Sequence, residues 1–205
     1  GVVGSYAQTF AANNGYSFSE VVEAGGSTGV YGNFIYRTVN EDQWIEITGY
    51  TGASKVVVIP SEIDGKPVKS IGIAAFSDKG LTNIDLPSTV VSIGLRSFSN
   101  NKLKEVILPN GIETIGSNAF GENIIESIDL PDSLVNLGSG AFSYNLLTSV
   151  SIPENIIKLE SRLFIGNNIA TIEFNSTLKT IGSAAFYGNK LVNLALPEGL
   201  VELED

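Results

Sequence analysis

Phe76, Phe98, Phe120, Phe142, Phe164 and Phe186 stand at a constant interval of 22 residues. No chain holds such a register unless successive segments repeat one structure. Two further series share the period: Pro87, Pro109, Pro131, Pro153 and Pro197, with Asn175 in the one gap, and Asn101, Asn123, Asn145, Asn167 and Asn189. Written from its first apolar residue, the unit reads LKEVILPNGIETIGSNAFGENI from Leu103 and IESIDLPDSLVNLGSGAFSYNL from Ile125. A copy beginning at Leu191 stops at Asp205, and a copy beginning at Val56 carries five extra residues around Asp64-Gly65, a pair that reads as a tight turn. A period in the twenties is one turn of a solenoid, a unit that buries its apolar side only against its neighbours.

Each unit divides into parts. The LxxIxLP stretch supplies a strand whose inward anchors are spaced by two, as in Val106 with Leu108 and Ile128 with Leu130. The proline after the second anchor has no N–H to donate and ends the pairing. Apolar residues at Ile112 and Ile115, and at their equivalents, bring the chain back across the core. Glycine follows at 72, 94, 116, 138 and 182, with Glu160 the exception, where a backbone without Cβ turns sharply or takes positive φ. A short helical turn then carries the phenylalanine. Turns stacked about 4.8 Å apart bring successive rings into one spine.

Three segments follow: residues 1–29 as an N-terminal helix and linker, 30–55 as a capping hairpin, and 56–205 as the solenoid with its last repeat truncated. In the first, Ser5 and Gln8 form a capping box, Tyr6 and Phe10 share a face, and Gly15 suits a helix end. The linker runs from Glu23 to Gly29. In the second, Asn40 to Gln43 is the turn, and Phe34, Tyr36, Trp44, Ile45 and Ile47 cover the first edge, which would otherwise invite foreign pairing. Trp44 is expected in the core of that cap.

Composition narrows the chemistry. With no His and no Cys, imidazole acid–base catalysis, Ser-His and Cys-His nucleophile pairs, disulfides and thiolate metal sites are all excluded. The 22 acids and 12 bases leave a net charge of −10, which argues against nucleic acid or an anionic membrane as partner. No apolar run approaches the ~18 residues of a membrane span, and no signal-peptide core stands at the N-terminus. The absence of Met and the stop inside a repeat read as a piece of a longer chain, so a missing leader says little about destination.

The pattern LxxIxLPxxLxxIGxxAFxxN, carried by residues 56 to 205, resembles the BspA-like leucine-rich repeat. That resemblance implies a right-handed, strand-rich repeat solenoid of the α/β type. It also implies a secreted or surface-attached bacterial protein that acts through recognition of proteins or host surfaces, many such proteins being adhesins. The family often has Cys where this chain has the asparagine series. A stacked Asn amide satisfies turn backbone as well as its neighbours, and it leaves no free thiol outside the cell. The string GSYAQTFAANNGYSF also resembles the segment that closes such repeat blocks; an ordinary helix packed on the cap explains it equally well.

Alternation with the inward anchors puts Asp85, Glu105, Ile107, Asp129, Ser151 and Glu173 in rows on the exposed strand face. These six are the candidate binding face, a ribbon about 25 to 30 Å long suited to a protein or peptide. The plainer alternative is a solvated sheet that carries polar residues. Asp85, Asp129 and Glu173 lie roughly 10 Å apart, too far to share one Ca²⁺ ion. Asp129 and Asp132 have no cleft in which to serve glycoside hydrolysis, so no catalytic residue, cofactor or metal is assigned. Tyr144 and Tyr187 follow the spine and either stack on sugar or are surface aromatics. The expected function is therefore a non-catalytic extracellular recognition or adhesion module. A passive spacer and a targeting module for an enzyme domain elsewhere in the parent chain are the alternatives. Self-association is expected through Leu191, Leu194, Leu196 and Leu200, which lack the Phe-bearing half of their turn.

Overall fold

The computed structural model of the chain describes residues 26–204. The helix signature at Ser5–Gly15 and the first part of the linker lie outside the described residues. The chain opens with β1 (Thr28–Tyr31), β2 (Phe34–Val39) and β3 (Trp44–Tyr50), joined antiparallel in succession. Asn40, Glu41 and Asp42 between β2 and β3 all have positive φ, and Asp42 accepts a hydrogen bond from the Thr38 hydroxyl. That bond holds the Asp42 carboxyl below its usual range. Ile45 and Ile47 are fully buried. Trp44 is half-buried and stays out of the core, contrary to expectation, because side chains alternate along a strand and residue 44 shares neither face nor packing with 45 and 47.

β3 lies parallel to β6 (Lys66–Ile71), so the hairpin covers the edge of the first turn. β6 is itself paired antiparallel with β5 (Glu62–Ile63) through Asp64-Gly65, whose φ values of 52° and 73° are those of a mirror-image turn. The Tyr36 hydroxyl donates to Asp64 Oδ2 at 2.7 Å, and this bond pushes the tyrosine pKa up.

Every later turn has three walls. The first is the anticipated strand: β4 (Val56–Val58) pairs with β7 (Asn83–Asp85), and β11 (Ser149–Ser151) with β13 (Thr171–Glu173), all parallel and in register at one residue per turn. Residues 105–107 and 127–129 occupy the same place without strand pairing. The second wall, read from the sequence only as a return path, is also a ladder. β6, β8 (Ser92–Ile93), β9 (Thr114–Ile115) and β10 (Asn136–Leu137) form one sheet, and β12 (Lys158–Leu159), β14 (Thr180–Ile181) and β15 (Glu202–Leu203) another.

The break between β10 and β12 has a cause in the glycine series. Gly72, Gly94, Gly116, Gly138 and Gly182 do not adopt positive φ, which corrects one of the two roles expected of them. They permit close approach: a Cβ on Gly116 would stand 2.7 Å from the Gly94 carbonyl carbon, and one on Gly138 2.4 Å from the Ser117 nitrogen. The approach lets Gly116 and Gly138 donate to Ile93 and Ile115 of the turn before, each at 2.8 Å. Glu160 occupies the equivalent position and carries a Cβ. There the ladder opens.

The third wall carries the phenylalanines and is not helical; no helix occurs among the described residues. Residues two before each Phe (Ala74, Arg96, Asn118, Gly140, Arg162, Ala184) have φ between 52° and 64°. That conformation aims alternate N–H groups at the following turn instead of along a helix axis. Arg96, Phe98 and Asn100 donate to Ser117, Ala119 and Gly121 at 2.9 to 3.0 Å, and each later turn repeats the scheme. The wall satisfies its backbone groups between turns, the accounting that a buried backbone requires.

Inside, Phe76, Phe98, Phe120, Phe142 and Phe164 are fully buried. From Phe76 to Phe186 the ring centroids are 5.1 to 6.0 Å apart and interplanar angles 5 to 14°, a continuous stack that Tyr50 and Phe34 extend into the cap. Burying each ring contributes about 1.5–3 kcal/mol. Beside the stack, the Asn123 amide donates to the carbonyls of Phe98 and Phe120, and its oxygen accepts from the Leu103 N–H at 3.1 Å. Asn101, Asn145 and Asn167 repeat this bonding, tying each turn to the one before.

Candidate functional site

On the strand wall the period-two alternation separates the inner side chains from the outer ones. Ile84 and Val150 are buried between exposed neighbours, Asn83 with Asp85 and Ser149 with Ser151. Glu105, Ile107, Asp129 and Glu173 are exposed as well, Ile107 to 77%. All six residues singled out from the sequence thus share one outward face.

The face is not flat. Where strand pairing lapses, a shallow depression of about 250 Å³ runs between the turns of Glu105 to Leu108 and Ser127 to Pro131 and gathers Glu105, Ile107 and Asp129. A larger one of about 590 Å³ lies next to it and gathers Asp129, Ser151 and Glu173. Asp129 borders both, and Asp85 borders neither. The larger depression also includes Asp132, Glu154, Ser149 and Thr171. Asp132 and Glu154 escape a period-two reading because they follow the prolines that end the strands; their place one and two turns along from Ile107 is a property of stacking. Among the described residues no group of three or more carboxylates converges as a metal site.

The electrostatics are one-sided. Positions 83, 85, 105, 107, 127, 129, 149, 151, 171 and 173 of this face hold four carboxylates, one isoleucine and no Lys or Arg. The ion pair of Lys104 Nζ with Glu126 Oε1 at 3.2 Å joins residues outside those rows. The shifted carboxylates are elsewhere. Asp78 is held below its usual range by hydrogen bonds from the Ser77 hydroxyl and the Asn100 amide, and Glu204 by Lys158 at 3.2 Å. What the face offers is an exposed apolar side chain among acids on a rigid frame, a chemistry of binding.

Comparison with known proteins agrees with this architecture. Residues 69–204 match, in six copies, the family model described as BspA type leucine rich repeat region. No protein of curated function matches. Among solved structures, a leucine rich cell surface protein of Faecalibacterium prausnitzii superposes with a TM-score of 0.71 at 23% identity, over 89% of this chain and 52% of that one. The chain therefore spans about half of that protein's length. A leucine-rich repeat protein of T. pallidum follows with a TM-score of 0.57 at 24% identity, over 87% of this chain and 86% of that one. The pneumococcal vaccine antigen PcpA superposes with a TM-score of 0.54 at 21% identity, over 85% and 41%. These likenesses concern the fold.

Proposed function

The chain belongs to the BspA-type leucine-rich repeat family, and from that membership and the face just described we propose that it is a non-catalytic recognition module of a secreted or surface-attached bacterial protein. Its strand face docks a protein on a host or neighbouring cell. The observation that carries this reading is the row of outward side chains from Asp85 to Glu173, acidic and without a compensating base, with Ile107 exposed among them.

Such a face suits a partner that presents basic groups around an apolar patch. Exposed Ile107 supplies the desolvated contact, and the acids around it steer and orient the partner more than they tighten the complex. The frame beneath the face is held by hydrogen bonds between turns in the other two walls, so little ordering cost falls on binding. The similar F. prausnitzii chain is described as a cell surface protein, which supports the proposed location. No helix among the described residues is long and apolar enough to cross a membrane.

A second copy of the chain is a further partner under this reading. Leu194 and Leu196 of the last turn are each 43% exposed, whereas Ile84 and Leu86 at the same repeat positions are 6% and 8% exposed.

The test is attachment. Beads coated with the 205-residue chain are scored on epithelial monolayers and on films of extracellular-matrix protein. Asp129→Lys with Glu173→Lys is expected to abolish attachment while leaving the circular dichroism spectrum and melting temperature in place, and raising the salt is expected to weaken it. Undiminished attachment by the double variant, or equal attachment by bare beads, would count against a recognition role for this face.

A further inference from the structure

The strand face is acidic, but the Phe-bearing wall over the last three complete turns holds no carboxylate: residues 139–145, 161–167 and 183–189 read SGAFSYN, SRLFIGN and SAAFYGN. Along this stretch runs a depression of about 540 Å³, lined by Asn118, Tyr144, Arg162 and Tyr187, with the small Gly140 and Ala184 leaving room between them. It is close in size to the larger depression of the strand face, and its lining is what sets it apart.

Its lining is unusual for this protein. Only Tyr31, Tyr144 and Tyr187 are exposed aromatics among the described residues, and the latter two, 56% and 73% exposed, border this one depression. Neither ring stacks on the other or on the phenylalanine column. The Tyr144 ring is held in place over Gly166, where a Cβ would stand 2.6 Å from its edge. Asn118 likewise leans over Gly140, its Oδ1 2.7 Å from where a Cβ would be. Arg162 is exposed and, among the described residues, its guanidinium has neither ion pair nor hydrogen bond.

Both groups sit on costly backbone. Tyr144 and Arg162 adopt φ of 52° and 60°, a left-handed conformation that disfavours side chains. Gly166 and Gly140, at the same two repeat positions in adjacent turns, adopt it without that cost.

We propose that this depression binds an acidic sugar, a pyranose bearing a carboxylate, as in a uronic or sialic acid residue. The C–H face of a pyranose packs against the electron-rich face of a tyrosine ring. The guanidinium fork of Arg162 takes the carboxylate through two parallel hydrogen bonds. The Asn118 amide offers a donor and an acceptor for ring hydroxyls. An acidic peptide presents the carboxylate without the flat C–H face, which leaves the tyrosines unused. This site lies apart from the strand face, and its test does not depend on that face.

Sodium glucuronate is titrated into the 205-residue chain and followed by nuclear magnetic resonance. The Tyr144 and Tyr187 ring signals and the Arg162 side-chain signal are expected to shift with a Kd of about 1 mM. Glucose, without the carboxylate, should bind about tenfold more weakly, and Arg162→Ala and Tyr187→Ala should each weaken glucuronate about tenfold, while Asp129→Lys changes nothing. Tyr144→Gly, which relieves the backbone, should keep or raise the melting temperature while losing the sugar, so that loss of binding is not loss of fold. The proposal is overturned if glucuronate produces no shifts or its shifts survive both alanine variants. Equal shifts from sodium acetate, equal binding of glucose, or tighter binding of an oligoglutamate peptide would overturn it too.

Discussion

Ser97 occupies the position before the phenylalanine that Ala75, Ala119, Ala141 and Ala185 hold in other turns, and its hydroxyl is fully buried with no hydrogen-bond partner among the described residues. A buried hydroxyl left unpaired costs about 1–3 kcal/mol, so Ser97→Ala should raise stability by about 1 kcal/mol in urea titration. Asn123→Ala is the opposite case. It strands the carbonyls of Phe98 and Phe120 and the N–H of Leu103, and should cost at least about 1–3 kcal/mol by the same measurement. A stable Asn123→Ala variant would show that the buried asparagines are ornament. At this scale the sequence was informative wherever a residue recurs: the asparagine role follows from its period and its capacity for several bonds. It was silent about Arg162, which recurs nowhere at its interval except as Arg96, and whose significance arises from what lies one turn away. It misled at Trp44, where strand parity and not aromatic character decides burial.

An element here is a wall, and each wall is made by residues 22 apart. The second wall shows how one missing atom controls pairing, since glycine at 94, 116 and 138 lets turns close to hydrogen-bonding distance and Glu160 marks the gap between two sheets. Gly116→Ala should therefore open the ladder between β8 and β9. Overpacking of this kind costs about 1–3 kcal/mol, and amide exchange should quicken at Gly116, whose N–H donates to Ile93 at 2.8 Å. Unchanged exchange at that amide would mean that close approach is not what the glycines are for. The Phe-bearing wall was the element least legible in advance. Its turns carry the i to i−3 bonds of a helical start, as from Ala75 to Gly72 and from Ser77 to Ala74. A local reading therefore favours a helical turn, but a partner one turn away competes for the remaining N–H groups and wins.

The whole molecule is a stack in which each turn touches only the next, so its faces are long, with the hairpin over the first turn and apolar side chains exposed on the last. The lateral faces differ in chemistry, the strand face acidic around Ile107 and the Phe-bearing wall aromatic with a free arginine over its last turns. The end at Leu194 and Leu196 adds an apolar surface, along with Leu203 at 58% exposure where its counterpart Ile181 is 6% exposed. Sedimentation of the 205-residue chain should show association that grows with concentration, and Leu194→Lys with Leu196→Lys should return it to monomer; a strict monomer across the range would sink the idea. By itself the sequence determined the period, the stacking, the inward residues and the outward row from Asp85 to Glu173, because a repeat makes each residue's neighbour its own counterpart and so converts spacing into contact. Only the tertiary structure decided which wall forms ladders, what the glycines are for, and that Asn118, Tyr144, Arg162 and Tyr187 converge, because those depend on the direction of backbone hydrogen bonds between turns and on residues that break the repeat.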